Sequence, residues 1–205
     1  MLCISREAGV KKLSVHKIID QVWDTKNFNV GGGAASSISA SMAAGLVGMV
    51  ARLSLGKNYG LDDRIFERIA AEMDFLCLEL QSGADKDGKA FLGIKAAFTL
   101  PKNTESEKKE RREAVEKAAI RAAEVPLENG EKAVRIMNVG RSLIDRSNPA
   151  ASSDLEIGIA LARTAVIGCA LNIDANLPLI KSPEKHNSLR EASGRLKGSA
   201  EKEIV

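Results

Sequence analysis

Residues 30–57 constrain what this chain can fold into more than any other stretch. They read VGGGAASSISASMAAGLVGMVARLSLGK, with no charged side chain before Arg52. Ile38, Met42, Leu46, Met49 and Val50 recur at steps of three and four, the spacing of one face of an α-helix. Gly, Ala and Ser fill most other positions, so neighbouring helices can approach closely there. The pattern predicts a helix over residues 34–55, with Gly56 and Lys57 closing it. Gly31, Gly32 and Gly33 then lie at its N-terminus. Backbone N–H groups at that position have no intrahelical partner and suit an anion or a ligand oxygen.

Three readings compete for this stretch. The uncharged run is long enough to cross a bilayer, but four serines, five glycines and no aromatic belt give it weak transfer energy. A nucleotide-binding loop is also disfavoured. The spacing is not Gly-x-Gly-x-x-Gly after a strand, and no Gly-Lys-Ser/Thr follows. The remaining reading, a tightly packed central helix of an all-α domain, suits the residues best. An aromatic content of 3% supports it, because the core must then come from Leu, Ile, Val, Ala and Met.

At 205 residues one domain, residues 1–205, is the expectation. A net charge of +3, with acids nearly balancing bases, does not suggest a nucleic-acid partner. Cys3, Cys77 and Cys169 are widely spaced, and His16 and His186 lack ligand spacing, so no metal site or disulfide framework is expected. Residues 1–10 lack an apolar core, which makes the cytoplasm the expected compartment and a membrane partner unexpected.

The rest of the chain reads as further helices. Ser14 is positioned to cap one running to about Thr25, with Val15, Ile18, Ile19, Val22 and Trp23 on one face. Leu61 opens another that continues to Phe98, although Gly83, Gly88 and Gly93 interrupt its pattern. Each interior glycine costs about 1 kcal/mol against alanine, so these three predict a kink or a close approach by another element. Thr104 to Glu107 forms a capping box, and Pro126 is expected to kink or restart the helix that follows. Ser153 to Glu156 reads as a second capping box, opening an apolar helix through Leu171. Ser182, Pro183 and Glu184 begin a final polar helix. The expected architecture is all-α, a bundle of six to eight helices built on the central small-residue helix.

No nucleophile–base constellation is readable. What remains is a set of polar residues placed awkwardly for a plain bundle: Asp85, Asp87, Asn148, Asp154, Asn172, Asp174 and Asn176. Capping and surface roles account for most of them taken singly. Asp85 and Asp87 fit such roles least, because the glycines beside them lie mid-segment.

Taken in order, several segments resemble the C-terminal cyclodeaminase domain of the formiminotransferase-cyclodeaminase family, whose fold is shared by methenyltetrahydrofolate cyclohydrolases. They are the three glycines with the small-residue helix, then Met49 to Lys57, then Asp85-x-Asp87-x-x-Ala90-Phe91. Leu100-Pro101-Lys102-Asn103-Thr104, Val125-Pro126-Leu127, Ser147-Asn148-Pro149 with Ser153-Asp154-Leu155, and Asn172-Ile173 with Asn176-Leu177 follow. The resemblance implies a dimeric all-α enzyme of folate one-carbon chemistry that forms or hydrolyses 5,10-methenyltetrahydrofolate. Tetrahydrofolate is its carrier substrate, and no metal or other cofactor is implied. It further implies a catalytic role for Asp87 and folate-binding roles for Gly31, Gly32, Gly33, Lys57, Asn148 and Asp154. These residues are expected around one site. The chain departs from the family pattern at Val30, Ala34, Asn58 and Leu92, where Pro, Ser, a second basic residue and a polar residue are usual. A second reading therefore stays open on the residues alone, that of a non-catalytic helical dimerisation protein.

Overall fold

The structure, a computed structural model, describes residues 15–24 and 30–201. Ser14, the connector at residues 25–29 and the side chains of Val15, His16 and Ile18 lie outside that description. Six α-helices are formed among the described residues: α1 (Val15–Trp23), α2 (Gly32–Leu53), α3 (Asp63–Phe98), α4 (Glu105–Ser142), α5 (Ser152–Asn176) and α6 (Pro183–Glu201). Among the described residues there is no strand.

Helix α2 is the hub. It packs against α3 on one side and α5 on the other, and α4 lies across both neighbours. Its buried positions are almost all Gly, Ala, Ser or Val. Small residues let the partner helices come close, and the serines then find acceptors on them. Ser37 Oγ donates to Leu80 O (2.6 Å) and Ser41 Oγ to Cys77 O (2.9 Å), both on α3. Ser39 Oγ donates to Leu161 O on α5 (3.0 Å). Larger side chains from the surrounding helices, including Phe66, Met73, Leu80, Ile136 and Met137, complete the buried core. By length and composition α2 and the segment Pro149–Leu179 could each span a bilayer, yet both lie within this packed bundle.

Helix α3 runs for 36 residues through its glycines. Of the two expectations for them, the close approach holds at Gly83, which admits neighbours from α2 and α4, whereas Gly93 faces open space. Helix α4 runs for 38 residues with Pro126 inside it. Proline removes one helical hydrogen bond and leaves the carbonyl four residues earlier without its donor. That carbonyl, Ala122 O, receives Asn176 Nδ2 from α5 (3.2 Å), which lets the helix continue.

Helix starts follow the sequence unevenly. The capping box at Thr104 and Glu107 is formed. The one expected at Ser153 is not, because α5 starts one residue earlier, out of a short 3₁₀ turn (Pro149–Ala151) capped by Asn148. Helix α2 also begins earlier than expected, at Gly32. On α1, Ile19, Val22 and Trp23 are exposed, so the other described residues do not cover this apolar face.

Candidate active site

Gly31 is the N-cap residue of α2, in an extended conformation (φ −124°, ψ −157°), and has no side chain to cap the helix. The first-turn N–H groups therefore need partners from elsewhere. Helix α3 supplies one, since the Asp87 carboxylate accepts a hydrogen bond from the backbone N–H of Ala34. The approach requires glycine at residue 33. A Cβ there would overlap the carboxylate, with Asp87 Cγ and Oδ2 each 2.6 Å away. Gly33 is buried, whereas Gly31 and Gly32 are exposed.

One turn deeper the arrangement reverses. Gly83 of α3 faces Ser37 of α2, and a Cβ at Gly83 would lie 2.8 Å from Ser37 Oγ and overlap the Asn129 amide oxygen of α4. Helices α2 and α3 thus meet through two opposed pairs, Gly33 with Asp87 and Ser37 with Gly83. The spacing of four within each helix puts both members on one face. Helix α5 closes another side. A Cβ at Gly168 would overlap Ser36 Oγ, and one at Gly32 would lie 3.3 Å from Asn172 Nδ2. Asn172 Nδ2 donates to Gly168 O (2.8 Å), and Asn176 Nδ2 donates to Asn172 O (2.8 Å).

The electrostatics distinguish Asp87 from its neighbour in the Asp-x-Asp segment. Asp85 is exposed. Asp87 is largely withdrawn from water, and this desolvation raises its pKa above the ordinary value near 3.8, outweighing the Ala34 hydrogen bond. Burial of the Cys169 thiol, reinforced by the nearby Asp87 charge, pushes it up to about 12. Cys169 is therefore a protonated wall of the site, not a nucleophile. The result is a carboxyl group that holds its proton more readily than a free aspartate. It sits at the positive end of a helix whose Gly32 and Gly33 N–H groups the helix itself does not use. Such a group can take up and return a proton beside a substrate, while the helix end favours a carbonyl oxygen or carboxylate. Among the described residues no three His, Cys, Asp or Glu side chains form a metal-ligand cluster.

The structure brings Gly31, Gly32 and Gly33 together with Asp87. It does not bring Lys57, Asn148 or Asp154 to them within this chain. Those three lie toward the C-terminal end of α2, whose 22 residues span about 33 Å. Lys57 is exposed in the loop after α2, and Asp154 is half-buried in the first turn of α5. Asn148 serves as a tie: its N–H donates to Ser54 Oγ (2.9 Å) and its Nδ2 to Leu53 O (3.1 Å), while its Oδ1 accepts from Ala150 N–H (3.0 Å). It also lines a separate cavity of about 1090 Å³ with Tyr59, Arg141, Glu156 and Arg163. The expectation of one shared site is therefore corrected at the level of the single chain. Sequence reasoning passed over Ser37 and Asn129, and the signal available for them was Gly83, a glycine in mid-helix.

The formiminotransferase-cyclodeaminase family model matches residues 14–194. Formimidoyltransferase-cyclodeaminase from Gallus gallus is 31% identical over 148 residues, covering 72% of this chain and 27% of that protein. The chain thus spans about a quarter of the length of that relative. Methenyltetrahydrofolate cyclohydrolase from Methylorubrum extorquens is 29% identical over 147 residues, 71% of each chain. The crystal structure of formiminotetrahydrofolate cyclodeaminase from Thermotoga maritima superposes with a TM-score of 0.82 at 25% identity, covering 94% of this chain and 92% of that one. By sequence and by fold alike, this chain belongs to the formiminotransferase-cyclodeaminase family.

Proposed function

We propose that this chain forms or hydrolyses 5,10-methenyltetrahydrofolate, with Asp87 as its acid–base group. The observation that carries the reading is the Asp87 carboxyl, raised in pKa and seated at the α2 N-terminus against Gly33. In the cyclodeaminase direction, nitrogen 10 attacks the carbon of the protonated formimino group of 5-formiminotetrahydrofolate and loses its proton to Asp87. Asp87 passes that proton to the exocyclic NH2, ammonia leaves, and the positive charge remains on the cyclic amidinium. In the cyclohydrolase direction, water adds to the amidinium carbon and gives one proton to Asp87. The bond to nitrogen 5 then breaks as nitrogen 5 takes that proton from Asp87, the carbinol hydroxyl releases its remaining proton to solvent as the formyl C=O forms, and 10-formyltetrahydrofolate results. Both routes pass through a tetrahedral carbon between two nitrogens, and both need one group that accepts and returns a proton. An aspartate near a cationic methenyl carbon also offsets its charge. The Gly32 and Gly33 N–H groups suit a pterin carbonyl oxygen or a glutamate carboxylate of the folate.

Following the methenyl absorbance tests this directly. Its appearance from 5-formiminotetrahydrofolate identifies a cyclodeaminase, and its decay faster than the spontaneous rate identifies a cyclohydrolase. Neither change, at micromolar enzyme, sinks the folate reading.

The same reading includes a homodimer. Ile38, Met42, Leu46, Met49 and Leu53 form one stripe along α2, and Met42 and Leu53 are 51% and 49% exposed. The stripe carries no charge, so a second copy of the same face is a suitable cover. In an antiparallel pairing the C-terminal end of one α2, with Lys57 and Asn148, approaches the N-terminal end of its partner.

A further inference from the structure

Asn129 is 2% exposed, and its Nδ2 has no hydrogen-bond partner. An unsatisfied buried donor is destabilising, and a leucine of similar size in this bundle would not carry that cost. The position of the amide is specific. It presses on Gly83 beside Ser37 Oγ, where any side chain on residue 83 would displace it. Ser37 Oγ already donates to Leu80 O, so it offers only acceptor lone pairs to its surroundings. Gly83 lies one turn before Asp87 on the same face of α3, about 6 Å along the helix. Gly130, next to Asn129, contacts Cys169, and Cys169 in turn feels the Asp87 charge. Helices α2, α3 and α4 therefore bring Ser37, Gly83 and the Asn129 amide together one turn from Asp87, with Cys169 of α5 near both Gly130 and Asp87.

We propose that Asn129 is a positioning residue of the Asp87 site, its Nδ2 donating to a water that also donates to the Asp87 carboxylate. Asn129 supplies a donor, Ser37 Oγ an acceptor and Asp87 a second acceptor, the two to four partners that an ordered buried water requires. The water fixes the carboxylate's orientation and supports its charged form, so Asp87 returns to the base form after each proton transfer. Cys169 on α5 is the titratable group facing Asp87, and the Ala34 N–H faces it from α2. This role rests on the proposed function only for its link to turnover; the hydrogen bonding itself is testable without substrate.

The decisive variants are Asn129→Leu, which removes the amide, and Asn129→Ser, which keeps a hydroxyl donor. The substrate-free measurement is the titration of the Asp87 carboxyl, followed by carbon-13 NMR in the wild-type and variant proteins. The expected result is a higher Asp87 midpoint in Asn129→Leu, partly restored in Asn129→Ser, with thermal stability of Asn129→Leu equal to or above wild type. Turnover of Asn129→Leu is expected to fall roughly ten- to a hundredfold. An unchanged Asp87 midpoint in folded Asn129→Leu overturns the proposal. So does a lowered melting temperature without a shift in midpoint, which marks Asn129 as structural. A wild-type protein inactive on both folate substrates would fail the proposed function, while the NMR titration would still decide this inference.

Discussion

The Asp87 carboxylate occupies the space a side chain at residue 33 would fill, and from there it accepts the Ala34 N–H. One contact thus ties the start of the central helix to the only aspartate of its segment that is withdrawn from water. Helix capping alone gives this aspartate a structural use. Its pKa is raised because the cap does not offset its desolvation, and that is the environment the proposed acid–base role calls for.

Gly33→Ala tests the fit. Alanine in a helix interior gains up to about 1 kcal/mol over glycine, but overlap in a packed site costs roughly 1–3 kcal/mol. The relief available is displacement of the carboxylate. The expected outcome is a small net loss in stability and a tenfold to hundredfold loss of turnover, measured by urea unfolding and by methenyl absorbance. Unchanged turnover would separate Asp87 from the chemistry.

Asp87→Asn separates capping from catalysis. The amide oxygen still accepts from Ala34, but the group no longer moves a proton. Turnover is expected to drop by roughly 10²–10⁴. Stability follows the sign of the pKa shift. A carboxyl whose folded pKa is raised stabilises the protein fully only below its unfolded value, near 3.8, and that contribution is lost as pH rises through the folded value. At neutral pH the variant is therefore expected to melt no lower than wild type. At pH 3 the advantage should disappear. Thermal melts of both proteins across that range check the sign.

Pro126 and Asn176 form a second testable pair. Asn176→Leu leaves Ala122 O without its donor and is expected to cost about 1–2 kcal/mol. In a Pro126→Ala background the helical N–H at residue 126 is restored and satisfies that carbonyl. The same Asn176 substitution should then cost measurably less. A double-mutant cycle by denaturant unfolding reads the coupling, and additivity within about 0.3–0.5 kcal/mol would refute it.

The α2 stripe makes a prediction about assembly. Met42→Arg places a charge in its middle, at a residue 51% exposed in the single chain, so the fold should survive. Sedimentation equilibrium is expected to show a dimer for wild type and a monomer for the variant at micromolar concentration. A wild-type monomer at those concentrations would remove the dimer from the proposed function.

The class of the fold and its hub were legible in the residues alone. The small-residue run in α2, the three- and four-residue spacing and the capping box at Thr104 are local signals, and local signals survive translation into structure. The ordered motifs also pointed to Asp87 before any contact was known. Which polar residues meet depends on how the helices pack. Along one helix Gly83 reads as a kink or a close approach without naming the neighbour, and Pro126 as a kink or restart, because a missing side chain or a missing N–H is locally a loss. Across helices each becomes an opening, Gly83 for Ser37 and Asn129 and Pro126 for Asn176. The separation of Asn148 from Asp87 was likewise hidden. Motif order along a chain carries no information about which end of a helix some 33 Å long each motif reaches. That depends on how α3, α4 and α5 lie against α2, a property of packing between helices rather than of any segment alone.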